Sequence, residues 1–230
     1  MIQQQLEEVR KNIVESAYKA NRKPEDITLI AVSKTHPVSA IKEAMEAGCR
    51  DFGENHVQEL CGKMEAIPDK VNWHLIGHLQ TNKVKYIIGK TALIHSLDRM
   101  SLAEEIEKQS AKHEIVTKVL LEVNVANEAS KHGFKVEEVM EAAQKISQMK
   151  HIQVEGLMTV APFVENPEEN RTIFRKLSGL SVDIQKQKFD NISTNILSMG
   201  MSNDYKVAIE EGATMVRVGS AIFGNRDYSK

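Results

Sequence analysis

The run ITLIAVSK, residues 27–34, decides how this chain folds. Its apolar residues, several of them β-branched, follow one another without alternating with polar ones, which is the pattern of a strand covered on both faces and so of a parallel sheet. Downstream, Val38, Ile41, Ala44 and Met45 recur at helical spacing and Gly48 stands where a helix would stop, completing a first βα unit. Upstream, Ile2, Leu6, Val9, Ile13, Val14 and Ala17 mark an amphipathic helix that ends before residues 21–24. The alternation continues with strands expected at 51–53, 72–76, 92–95, 115–125, 153–160, 192–198 and 214–218. Helical stretches are expected at about 167–188 and 203–211. Eight strands separated by seven helices match a single (β/α)8 barrel over residues 1–230, with the N-terminal helix completing the outer ring. A doubly wound open sheet is the competing architecture, but it uses fewer strands and carries a glycine fingerprint after strand 1 that is missing here.

Composition narrows the function. The chain has 230 residues with 41% apolar and 27% charged side chains, in the ordinary globular range, and a chain of this size can bury about 70% of its surface without disulfides or metal. Its 30 Lys and Arg against 32 Asp and Glu leave a net charge of -2, which argues against a nucleic-acid or membrane partner. The longest apolar run is four residues and the start, MIQQQLEEVRK, has no signal-peptide character, so a cytoplasmic location is expected. Cys49 and Cys61 form no CxxC pair and suit a reducing compartment.

In a barrel of this kind the C-terminal ends of the strands form the working mouth, and phosphate is often held after strands 7 and 8. Lys34 closes the first strand, where a half-buried amine is depressed in pKa and keeps some neutral nucleophile. Taken alone, a lysine there is more often a snorkelling surface residue. The segments SMGMS (198–202) and VGS (218–220) provide small turns whose backbone amides can approach a phosphate. Arg217 lies inside the apolar strand TMVRVG, where its charge needs either a carboxylate or a ligand atom. A lysine for an aldehyde, an arginine for a ring nitrogen and turns for a phosphate fit one ligand, pyridoxal 5'-phosphate. An arginine opposite that nitrogen keeps it unprotonated and makes the ring a poor electron sink.

The blocks AVSKTHP (31–37), FGENHVQE (52–59), WHLIGHLQTNK (73–83), GLMTV (156–160), LSMGMSND (197–204) and MVRVGSAIFG (215–224) resemble, in order and from end to end, those of the pyridoxal phosphate homeostasis protein family, once described as proline synthase co-transcribed homologues. The resemblance implies a barrel like the N-terminal domain of alanine racemase with the cofactor at its mouth. It gives Lys34 as the Schiff-base lysine, Asn55 as a residue lining the cofactor, and Arg217 at the pyridine nitrogen. Ser198, Gly219 and Ser220 are given as phosphate contacts with Met199 and Met201 beside them, and His74 as a barrel-wall residue of the same site. The chain departs from the family at His36, where many members have a second lysine, at His56, where they have tyrosine, and at His78, where they have proline. Lys131 or Lys83 is a possible substitute for that second lysine.

Other signals are set aside. His74 and His78 have an HxxxH spacing, but the segment begins on a strand and carries no adjacent glutamate, so no metal site is expected. Asp98 and Arg99 are read as solvated charge on a helix. Ser198 has no histidine and acid to activate it for hydrolysis.

The expected function is therefore a protein that buffers or delivers pyridoxal phosphate without robust catalysis, with apo-enzymes that use the cofactor as recipients and a monomer or weak homodimer as the assembly. The alternative is a racemase or another weak enzyme using the same ligand. Racemisation needs acid–base groups on both faces of the substrate carbon. Tyr18, Tyr86, Tyr205 and Tyr228 all fall in expected helices or the tail, and the twelve residues after Val218 leave no room for a second domain.

Overall fold

The strand that opens the sequence argument, β1 (Thr28–Val32), pairs in parallel with both β2 (Asp51–Glu54) and β9 (Met215–Val218), and this double pairing closes a ring. The computed structural model describes residues 1–68 and 71–224. Within them the ring continues from β2 through β3 (Asn72–Leu75), β4 (Leu93–Leu97), β5 (Thr117–Asn124), β7 (Ile152–Met158) and β8 (Ile192–Met201) back to β9. These are the eight expected strands, and the architecture is a (β/α)8 barrel. One strand went unanticipated: β6 (Phe134–Lys135) pairs with the end of β5 outside the ring, and two residues are too few to leave a periodic signal.

The crossovers carry α2 (Val38–Glu46), α3 (Val57–Ala66), α4 (Met100–Lys112), α5 (Val139–Ile146), α6 (Arg171–Lys186) and α7 (Tyr205–Glu210). Between β3 and β4 the connection is a 3-10 helix, Thr81–Tyr86, where the pattern gave an α-helix. The N-terminal helix α1 (Ile2–Lys19) packs against α2, α7 and the short α8 (Ser220–Phe223), so it fills the remaining place in the outer ring. Its apolar stripe of Leu6, Val9, Ile13 and Ala17 is buried, and Arg22 just beyond it donates to the carbonyls of Ile209 at 2.9 Å and Ala213 at 2.7 Å. Among the described residues no helix is long and apolar enough to cross a membrane.

Inside the ring the side chains are layered. Leu93, Leu120 and Met158, with Val160, Ile196 and Met215 against them, form a cluster separate from the main core between strands and helices. Side chains two residues apart share a face of a strand. Moving two residues toward the mouth therefore turns Leu93 into His95, Leu120 into Glu122, Ile196 into Ser198 and Met215 into Arg217, all buried. An apolar floor thus carries a polar layer, and the open mouth lies above it.

β8 runs three residues further than the sequence suggests. Gly200, at φ +91, sits in a stretch where the β8–β9 register shifts between Ser198 and Met201, so the glycine bulges the strand and does not end it. A Cβ at Gly200 would come within 2.6 Å of the Ala208 side chain and 2.8 Å of the Tyr205 backbone, so the bulge also seats α7. Ser198 and Met199 therefore belong to the strand, and the turn begins at Ser202.

Candidate functional site

The mouth holds a cavity of about 810 Å³, within the size range of small-molecule and cofactor sites. Of the nine residues expected to hold a cofactor, Lys34, Asn55, Met201, Arg217, Gly219 and Ser220 line it. His74, Ser198 and Met199 lie elsewhere. Ser198 and His74 are buried in the polar layer below, and Met199, next to the inward-facing Ser198, points into the core shared with the helices.

Lys34 stands in a turn just past β1, closed by the His36 amide donating to the Ser33 carbonyl at 3.0 Å. Thr35 is forced to φ 67 and its amide donates to Glu59 Oε1 at 2.6 Å. Behind the turn, Lys63 Nζ donates to the Ser33 carbonyl, to Glu54 Oε1 and to Glu59 Oε1, each at 2.7 Å, while Ser33 Oγ donates to Glu54. Burial pushes the Glu54 carboxyl upward against the pull of Lys63 and Ser33. The turn that presents Lys34 is thereby tied to α3. Asn55 is placed across from it by Gly77, whose missing Cβ would fall 2.4 Å from the Asn55 carbonyl oxygen.

Arg217 is only 4% exposed, yet among the described residues no carboxylate lies within ion-pair distance of it. Nη1 donates to Ser198 Oγ at 2.6 Å and Nη2 to the Thr159 carbonyl at 2.8 Å. Burial lowers its pKa to about 10, against the more distant attraction of Glu122 and Asp204, so it is a cation at neutral pH. Ser198 Oγ also meets His95 Nδ1 at 2.9 Å, His95 Nε2 meets His74 Nδ1 at 2.9 Å, and His74 Nε2 meets Asp51 Oδ1 at 3.1 Å. Burial first, then His74 and Arg217, holds the His95 pKa well below its usual value, so that ring is neutral. Guanidinium can only donate and carboxylate only accept. With His95 neutral, one assignment that satisfies every link runs from Arg217 to Ser198, Ser198 to His95, His95 to His74 and His74 to Asp51.

The turn after β8 is pinned by Asp204, which accepts from the Met201 amide at 2.7 Å and from Asn170 Nδ2 at 2.8 Å. Ser202 Oγ accepts from the Gly219 amide at 3.1 Å and the Ala221 amide at 3.4 Å, joining the two small turns. Ser202 stood in the SMGMS motif and was passed over in favour of Ser198. Glu122 and Lys131 also line the cavity. Burial, reinforced by Asp98, raises the Glu122 carboxyl to about 7. Of the two lysines offered as substitutes at His36, Lys131 reaches the cavity, bonded to the Val160 carbonyl at 3.3 Å, whereas Lys83 borders a separate small pocket. His36 lines the cavity and stacks on Phe223 at 5.0 Å. Asp98 is buried in the loop after β4 and held by Arg99 and His78, a correction to its reading as solvated helix charge.

Comparison with known proteins agrees with the fold. The model of the alanine racemase N-terminal domain matches residues 5–227. A pyridoxal phosphate homeostasis protein of Aquifex aeolicus is 46% identical over 226 residues, covering 98% of each chain. The chain belongs to the pyridoxal phosphate homeostasis protein family. The structure of PipY from Synechococcus elongatus with PLP bound superposes with a TM-score of 0.85 at 33% identity, over 97% of this chain and all of that one. An alanine racemase of Clostridium difficile in complex with cycloserine shares the fold, with a TM-score of 0.74 at 14% identity, and this chain spans 60% of it.

Proposed function

We propose that this chain, acting as one domain in the cytoplasm, binds pyridoxal 5'-phosphate at the barrel mouth and buffers it or delivers it to apo-enzymes, without robust catalysis of its own. The observation that carries the reading is Arg217, a buried cation opening on the cavity that is solvated by a hydroxyl and a carbonyl and has room for one more acceptor. The donor set fits the cofactor: Lys34 for covalent attachment through the aldehyde, Arg217 for the ring nitrogen, Asn55 along the ring, and Ser202, Gly219 and Ser220 for the phosphate. When bound, the cofactor supplies an electron sink, and an arginine at the ring nitrogen weakens that sink by keeping the nitrogen unprotonated.

Support for a carrier also comes from the tyrosines. Tyr18 and Tyr86 are exposed and Tyr205 is packed in the core, away from the cavity, while Tyr228 lies outside the described residues. No described tyrosine is thus available as the opposite-face base that racemisation requires. Borohydride treatment of the purified, cofactor-loaded protein is expected to fix one cofactor on Lys34, as read by peptide mass. The same adduct in Lys34→Ala would overturn the assignment. Incubation with each amino acid in heavy water distinguishes carrier from enzyme, and exchange of the α-hydrogen on the timescale of enzymatic turnover would favour the enzyme.

A further inference from the structure

Three loops on one side of the mouth bring together groups that the cofactor reading leaves unused. His78 follows β3, Asp98 follows β4 and His132 lies between β5 and β6, so the ends of three successive barrel strands converge. One ring nitrogen from each histidine and a carboxylate oxygen of Asp98 all lie within 4.8 Å of one another. His78 Nδ1 is 2.8 Å from Asp98 Oδ2 and His132 Nδ1 is 3.7 Å from the same oxygen, with the two rings stacked at 3.8 Å and 18°.

A hydrogen bond accounts for the first distance but not for the second, which is too long. Ligand atoms about 2.1 Å from a tetrahedral zinc stand roughly 3.4 Å apart, so an ion entering here replaces the His78–Asp98 hydrogen bond, opens that pair slightly and turns the stacked rings until their lone pairs converge. The carboxylate is also braced as a metal ligand should be. Arg99 Nη1 donates to its other oxygen, Oδ1, while Arg99 Nη2 donates to the Leu79 carbonyl at 3.0 Å, tying the acid to the loop that carries His78. That leaves Oδ2 directed at the two imidazoles.

We propose that His78, Asp98 and His132 form a zinc site of the two-histidine, one-carboxylate type at the rim of the cavity. Three protein ligands leave one coordination position open. Because His78 and His132 themselves line the cavity, that position lies on the cavity side, where water or an anionic oxygen of a bound molecule completes the shell. The HxxxH spacing misleads here: His74 is spent in the buried chain to Asp51, and the partners of His78 are 20 and 54 residues away along the sequence.

The test is a calorimetric titration of chelator-treated protein with zinc chloride, repeated with cobalt(II) to read the visible absorption of a four-coordinate site. One equivalent is expected, with affinity reduced at least tenfold in His78→Ala and in His132→Ala and with the cobalt band lost in both. His132 is exposed, so its alanine variant tests the site without disturbing the core, and circular dichroism verifies that the variants are folded. Repeating the titration on Lys34→Ala separates this site from metal held by the cofactor, since the equivalent should persist there. Absence of uptake by the parent protein, or unchanged uptake by both histidine variants, would overturn the proposal.

Discussion

Two cations are buried at this barrel mouth and are treated in opposite ways. Lys63, 6% exposed, is surrounded by Glu54, Glu59 and a carbonyl, all at 2.7 Å. Arg217, 4% exposed, has a hydroxyl and a carbonyl and no carboxylate in contact among the described residues. The first arrangement is an internal ion network that ties α3 to the turn presenting Lys34, although Glu54 Oε2 is left buried without a partner in it. The second is open, since a desolvated guanidinium with a pKa drawn down to about 10 gains from any acceptor that arrives from the cavity. Two similarly buried cations thus differ in what lies opposite them: carboxylates for Lys63, the cavity for Arg217.

Substitutions can break this contrast. Lys63→Met leaves Glu54 buried without its cation and is expected to cost about 3–5 kcal/mol in chemical denaturation, because an abandoned buried charge is far worse than a missing pair. Glu122 gives the next effect, through pH. Its folded pKa of about 7 lies above the ordinary carboxylate value, so its contribution to stability is full below about pH 4.5 and is lost as pH rises through 7. The wild-type protein should lose at most about 3 kcal/mol relative to Glu122→Gln between pH 4.5 and 8; parallel stability–pH curves would contradict this. Arg217→Met sharpens the comparison: stability should change by no more than about 1 kcal/mol, while cofactor affinity, followed by absorbance titration, should fall at least tenfold. The smallest effect is expected on the outer surface, where Arg175 is exposed and paired with Glu211 at 3.0 Å; its alanine variant should show no resolvable shift of the denaturation midpoint.

The sequence carries the ring more legibly than the layer inside it. The apolar run at 27–34 and the alternation of short strand-like segments with helical spacing mark all eight barrel strands. Lys34, Asn55, Met201, Arg217, Gly219 and Ser220 could be located because each follows, or sits in, such a strand. The segment 198–202 reads as a turn closing a strand that ends at Ser198, and only the register shows Gly200 bulging a strand that continues to Met201. His74 looked like a wall residue of the site, yet its ring is engaged with His95, 21 positions away, and with Asp51. Glu122 and His132 left no trace and Asp98 reads as solvated charge, since their meaning depends on partners that only barrel closure brings near.

The hydrogen-bonded file from Arg217 to Asp51 crosses the barrel from its mouth to the opposite end, where β2 begins. Every donor in it points the same way, fixed by a guanidinium at one terminus and a carboxylate at the other. The two rims of the molecule therefore share a single polarity, set by which group stands at each end. The floor of the cavity is thus held in its hydrogen-bond direction by a carboxylate on the rim that the cavity does not reach.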